Sequence, residues 1–243
     1  MRAYCLTDTG MVRDHNEDAV TIVKNEDAVL LAIADGMGGH QAGEVASAIA
    51  INYLNKHFKE TFIGLGKVDA VKWIKNAYEE INSSIFEYEK THPEAKGMGT
   101  TLVLSVRTDN YVLFGNVGDS SGFVMKDDML HKVTYDHTLV NLLVSAGELT
   151  KEEAAMHPKK NVLMKALGAS PKVEVDIFDC DTSIRGILLA SDGLTNMLDN
   201  NQITKTLLEE NDDDVVRKLI MKANNRGGND NISVAYLMIE GEE

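Results

Sequence analysis

The chain has 243 residues, 44% of them hydrophobic and 26% charged, which are ordinary values for a globular protein long enough to bury a substantial core. Its 38 acidic residues against 24 Lys and Arg give a net charge of −14, a field that repels phosphate backbones and anionic lipid and so argues against nucleic-acid and membrane-surface binding. Cys5 and Cys180 form no CxxC pair or disulfide framework, the opening MRAYCLTDTG lacks an apolar signal-peptide core, and the longest apolar run, 28–34, is far short of the roughly 20 residues of a membrane helix, so a cytoplasmic protein is expected.

In chain order, strand-like runs come first: AYCLT (3–7), AVTIV (19–23) and AVLLAIA (28–34). Val45, Ile49 and Leu54 then recur near helical spacing, and from Asp69 a longer helix carries Ile74, Ala77, Tyr78, Ile81, Ile85 and Tyr88 on one stripe. Strands return at TLVLSV (101–106), YVLFGNV (111–117) and GFVM (122–125), with RTDN (107–110) short enough to close a hairpin. HTLVNLLVSAG (137–147) reads as a helix ending on glycine, and TKEE (150–153) as a capping box opening a short helix stopped at His157-Pro158. VEVDIFD (173–179), GILLA (186–190) and ISVAYLMI (232–239) complete the strands, and DDDVVRKLIMKAN places acids at a helix N-terminus, where the dipole favours them. No linker divides the chain, so one domain over 1–243 is expected, with antiparallel hairpins forming two sheets covered by helices.

The carboxylates fall where apolar strands end. Asp35 follows LLAIA and precedes Gly36; Asp192 follows GILLAS and precedes Gly193; Asp119 follows FGNVG; Asp230 stands in GGNDN before the last strand. One such acid is ordinary turn chemistry, but four converging on shared sheet edges would repel one another, and a cation resolves that conflict. Oxygen ligands without a Cys or His cluster select Mg²⁺ or Mn²⁺ over zinc. Arg13, just before Asp14, Glu17 and Asp18, can grip a phosphate in a planar fork or form a surface ion pair.

Taken together, RDHNEDA (13–19), ADGMGGHQAGEVAS (34–47), GMGTTLV (97–103), GNVGDS (115–120), DHTLV (136–140), ASDGLT (190–195) and GGNDNISV (227–234) resemble the successive motifs of the metal-dependent serine/threonine protein phosphatases, the PPM or type 2C family, in its bacterial form. The resemblance implies an α+β fold, a four-layer αββα sandwich with two central, mostly antiparallel sheets flanked by helix pairs. It implies hydrolysis of phosphoserine and phosphothreonine by a water or hydroxide bridging two Mn²⁺ or Mg²⁺ ions, without a covalent intermediate. Asp35 would bridge the ions with the Gly36 carbonyl as a further ligand, and Asp192 and Asp230 would hold one of them. These three acids would thus be the catalytic centre. Asp119 with Asp192 would hold a third, weaker ion, and Glu17 and Asp18 would act mostly through bound water. Arg13 would bind the phosphoryl group. The partners implied are phosphorylated proteins and a cognate kinase, with the phosphatase itself a monomer.

Two positions depart from the pattern. Met37 follows the Asp-Gly pair where many eukaryotic relatives carry His, which leaves His40 as the candidate proton donor, with a metal-bound water as the alternative and an exposed helix N-terminal residue as the bland reading. Ser121 stands where bacterial members usually have Arg, which removes a cation beside Asp119. Residues 145–168 correspond to a flap, and its Lys159, Lys160 and Lys165 either attract phosphorylated substrate or form a solvated face. A serine-hydrolase reading of GDSSG (118–122) would need a helix after Ser120, yet FVMKDDMLHKV reads as a strand and hairpin. A dinucleotide turn at GMGG would need glycine in place of Gln41.

Overall fold

The computed structural model describes residues 1–38, 42–209 and 214–239. Two antiparallel sheets stack face to face. The first runs β1 (Arg2–Asp8), β11 (Ile232–Met238), β10 (Gly186–Ala190), β7 (Ser121–Lys126) and β8 (Met129–Lys132). The second runs β2 (Asp18–Lys24), β3 (Val29–Met37), β5 (Leu102–Arg107), β6 (Val112–Val117) and β9 (Asp176–Cys180), with the two-residue β4 (Gly99–Thr100) paired to the far end of β3. Every strand pairing among the described residues is antiparallel.

The layering follows from the two-residue period of a strand. On β3, Leu31 and Ile33 point between the sheets, where they meet Val103, Phe114, Ile187, Leu189, Ala235 and Leu237. Leu30, Ala32 and Ala34 point the other way, onto α1 (Ala42–Thr61) and α2 (Lys67–Thr91). On the opposite sheet Leu188, Ala190, Val234 and Tyr236 face α6 (Asn200–Glu209) and α7 (Asp214–Asn224). Strands buried on both faces read as unbroken apolar runs rather than as alternation. The expected stripe on α2 is the buried one: Ile74, Ala77, Tyr78, Ile81 and Ile85 are buried, and Tyr88 packs against the same cluster part-buried.

Between β8 and β9 lie α3 (Leu139–Ser145) and α4 (Lys151–Met156). Thr138 caps α3, and Thr150 and Glu153 form the capping box of α4. The segment is tied at its base: Leu139 N–H donates to Val162 O at 2.8 Å, Met164 N–H to His137 O at 2.7 Å, and Leu167 and Thr100 exchange backbone hydrogen bonds. Three expectations shift. β3 runs past Asp35 to Met37 because β4 offers it a partner, β9 starts at Asp176 rather than at 173, and a one-turn helix α5 (Asp192–Thr195) opens directly on Asp192. Of the aspartates expected at the start of α7, Asp214 is described and Asp212 and Asp213 lie outside the described residues. No helix among the described residues is long and apolar enough to cross a membrane.

Candidate active site

The backbone of Asp35 is fixed on both sides. Its N–H donates to Thr101 Oγ1 at 3.1 Å, and its carbonyl accepts from Thr101 N–H at 2.8 Å and Thr100 Oγ1 at 2.9 Å. With every main-chain group engaged, the carboxylate is aimed by the strand itself. Gly36 follows with its N–H donating to Glu17 O at 3.1 Å. A Cβ on Gly36 would stand 2.2 Å from Gly43 O and 2.5 Å from Glu17 O, so only glycine lets β3 pass between α1 and the residue 17 backbone.

Asp18 is the register partner of Asp35 across β2 and β3, two acids directly opposite each other. It is 8% exposed, and neither carboxylate oxygen has a hydrogen-bond partner among the described residues. The nearby hydroxyls are committed elsewhere: Ser233 Oγ donates to Thr7 Oγ1 at 2.8 Å, and Ser191 Oγ to Asn231 O at 3.4 Å. Burial, opposed by those hydroxyls and reinforced by Asp230 and Glu17, pushes Asp18 up to about 6.

From the facing sheet come Asp192, in the first turn after β10, and Asp230, in the turn before β11; Asp119 stands in the turn between β6 and β7. Burial first, then the charges of Asp119, Asp230 and Asp18, push Asp192 up to about 7, against an amide donated by Asn196 at 3.1 Å. Asp35 is driven well above the ordinary carboxylate range by burial and then by Asp18, Asp192, Asp119 and Asp230. Asp119 rises by burial and the neighbouring Asp136, and Glu17 by burial, with Arg13 opposing. Five carboxylates raised in one place mark a site whose charge the protein's own side chains do not neutralise.

A cation stands beside them in Arg13, whose Nη2 lies 2.8 Å from Asp230 Oδ2 with both side chains partly exposed. Its loop is pinned to the turn that carries Asp230. Asn231 Nδ2 donates to Thr9 O and His15 O, both at 2.9 Å, its Oδ1 accepts from Glu17 N–H at 2.8 Å, and Met11 N–H donates to Gly228 O at 2.8 Å. Gly10, at φ +81°, lies so close that a Cβ would meet Asp230 O at 2.2 Å.

All donors in this cluster are oxygens, a set suited to Mg²⁺ or Mn²⁺ rather than to a soft metal. Asp18, buried with two unmet oxygens, needs a positive neighbour or a proton. No three acidic, His or Cys side chains among the described residues are drawn tightly enough together to hold an ion alone, so carbonyls such as that of Gly36, together with water, would complete any coordination shell.

Residues 12–221 match the family model of Protein phosphatase 2C. The chain belongs to the protein phosphatase 2C family. The serine/threonine phosphatase stp of Listeria innocua is 41% identical over 99% of this chain and 96% of its own length, and protein phosphatase PhpP of Streptococcus pneumoniae is 36% identical over 100% and 99%. The structure of the serine/threonine phosphatase of S. agalactiae superposes with a TM-score of 0.92 at 38% identity, covering 98% of this chain and 99% of the other. The enzyme class and the two-sheet architecture expected from the motifs therefore hold.

In this phosphatase the position of Ser121 is buried in β7, its hydroxyl 3.4 Å from Asp136 Oδ1. A cation reaches the neighbourhood from another strand. Lys132 on β8 contacts both oxygens of Asp136 at 2.7 Å and partly offsets the rise of Asp119. His137 fixes the same turn: Nδ1 accepts from Gly118 N–H at 3.0 Å, which leaves Nε2 to donate to Asp176 Oδ2 at 3.1 Å. Ser120 is fully buried with its hydroxyl 2.9 Å from Thr101 Oγ1, and a strand rather than a helix follows it, so no nucleophile elbow forms. His40 lies outside the described residues.

Asn231, Thr101, Lys132 and His137 are the supporting residues that motif reading does not single out. All but Lys132 lie inside or beside a quoted motif; Asn231, Thr101 and His137 have partners far off in sequence, whereas Lys132 pairs with Asp136 four residues on. In the sequence Asn231 directly follows the motif acid Asp230 and Thr101 lies inside GMGTTLV, but their burial, which makes their hydrogen bonds obligatory, comes from the fold.

Proposed function

We propose that this phosphatase hydrolyses phosphoserine and phosphothreonine in proteins with two Mn²⁺ or Mg²⁺ ions, and a third that binds more weakly, by in-line attack of water on phosphorus without a phospho-enzyme. The observation that carries this reading is the convergence of raised carboxylates around Asp35, with Asp18 buried opposite it and, among the described residues, lacking a hydrogen-bond partner. Asp35, the Gly36 carbonyl, Asp192 and Asp230 would hold the two principal ions, Asp119 with Asp192 the third, and Glu17 and Asp18 would act through water. When bound, the ions would acidify a water and neutralise charge growing on the phosphoryl oxygens.

The chain's own residues supply position and selectivity. Arg13 has one Nη on Asp230, and the rest of its fork is available to a phosphoryl group arriving at the same edge. Asn231 keeps that guanidinium in register with the acids by holding both ends of its loop. A protein nucleophile is disfavoured: Ser120 is buried, and burial holds the thiols of Cys5 and Cys180 in the protonated form. His40 stays the candidate donor to the leaving oxygen. Residues 1–243 are read as one catalytic domain with a flap at about 145–168, acting as a monomer in the cytoplasm on phosphoproteins that include a kinase. Both cysteines being free thiols agrees with that compartment.

The test is hydrolysis of p-nitrophenyl phosphate with Mn²⁺ or Mg²⁺, with and without chelator. Turnover that requires the metal and returns on its re-addition is expected; turnover indifferent to chelator would overturn the mechanism.

A further inference from the structure

A cleft of about 1010 Å³ opens between the α3–α4 segment and the end of the sandwich, and Asp119 and Asp192 form part of its floor. It stands at the upper end of the range of pockets that bury a drug-sized ligand, about 300–1,000 Å³, with room for more than a phosphorylated side chain. Its rim carries an unusual share of exposed apolar surface: Tyr135 is 73% exposed, Leu142 54% and Met164 49%.

Four lysines line the same cleft, and they differ in what they face. Lys132 is held by Asp136 at 2.7 Å, and Lys165 lies 3.6 Å from Glu174. Lys151, on α4, and Lys160, just beyond it, are exposed and make no ion pair among the described residues. Other lysines of the described surface are unpaired too, but these two ammonium groups face the cleft that opens on Asp119 and Asp192. Lys159, the third basic residue of the run read from sequence, does not line the cleft.

We propose that this cleft selects the polypeptide flanking the phosphorylated residue, preferring a substrate that places a large apolar side chain against Tyr135, Leu142 and Met164 and an anionic group against Lys151 and Lys160. The inference rests on the phosphatase reading above and adds the substrate class. The two ends of the cleft complement different chemistry. The acid floor takes the phosphoryl group only through cations, whereas the lysine wall attracts an anion directly, so the two ends of the cleft bind different parts of one chain. The anion is a carboxylate or a second phosphate, since both pair with an ammonium group equally well in geometry.

The experiment uses phosphothreonine peptides of one apolar sequence that carry Glu, a second phosphothreonine, Ala or Lys at each flanking position in turn, with p-nitrophenyl phosphate alongside. The wild type is expected to turn over a peptide with an anionic flank with kcat/KM about tenfold above its Lys counterpart, through KM, with the gap closing at high salt. The Glu and phosphothreonine arms separate the two anion sources. Lys151→Glu with Lys160→Glu should invert the preference, while p-nitrophenyl phosphate, which has no flank, is hydrolysed as before and so reports an intact fold. Equal kcat/KM for Glu and Lys flanks in the wild type, or an unchanged ranking in the double variant, would overturn the inference while metal-dependent aryl phosphate turnover left the phosphatase reading standing. Loss of metal-dependent turnover of every substrate by the wild type would sink both.

Discussion

Residues 30–34 and residues 35–37 share one strand and sit under opposite physics. The first stretch is apolar and fully buried on both faces, each Leu or Ile there contributing about 2 kcal/mol by leaving water. The second ends at the acid ring, where Asp35 faces Asp18 and three more carboxylates and is driven far from its ordinary titration range. The apolar stretch is what makes the acid stretch possible. Repelling groups stay together at a defined spacing because the strand delivering them is over-determined elsewhere.

That division of labour can be broken most sharply at Asp192. Asp192→Asn should lower turnover by at least about 10³-fold, the scale of losing a group that holds a catalytic ion, yet raise the melting temperature of the chelated protein, because a buried carboxylate pushed up to about 7 is removed. A variant that lost stability in chelator would contradict the picture of a strained acid ring. Gly36→Ala comes next. Its Cβ would lie 2.2 Å from Gly43 O, so a loss of about 3 kcal/mol is expected, seen as a melting temperature lower by roughly 5–10 °C along with impaired turnover.

The pH dependence of the metal-free protein sharpens the same point. Asp192 at about 7 and Asp18 at about 6 keep their protons in the fold at pH values where the unfolded chain, near the ordinary 3.9, has released them. Their contribution is complete below that ordinary value and is lost as pH rises through about 6 and about 7. Melting temperature in chelator should therefore rise between pH 7.5 and 5.5, and Mn²⁺ should flatten the profile; a profile falling toward pH 5.5 would oppose it. The smallest effect belongs to the apolar side. Ile187→Val, between the sheets, should cost about 1 kcal/mol, read as a melting temperature down by about 3 °C with kcat/KM unchanged.

Much of this was legible in the chain. Runs such as AVLLAIA and GILLA announce strands because burial on both faces leaves no room for polar residues, and acids beside glycine announce their ends. What escaped notice depends on distant partners. Gly99 and Thr100 have no strand pattern and pair only because Gly36 and Met37 pass alongside, which also carries β3 beyond Asp35. Asn231 looks like one more turn residue until the Thr9 and His15 carbonyls, more than 200 positions away, are placed against it. Lys132 escaped for a different reason: its partner Asp136 is only four residues on, but the pair comes to lie beside Ser121 of the neighbouring strand β7 only in the folded sheet.

Asp35 comes from one sheet, while Asp192 and Asp230 come from the turns at the ends of β10 and β11 in the facing sheet. The acid cluster is thus a seam, and its geometry cannot survive sliding of one half of the sandwich over the other. Any cation shared across the seam would act as a rivet, so amide exchange in β3, β10 and β11 should slow together on Mn²⁺ binding, although residues such as Leu31 and Leu189 lie well inside the apolar layer.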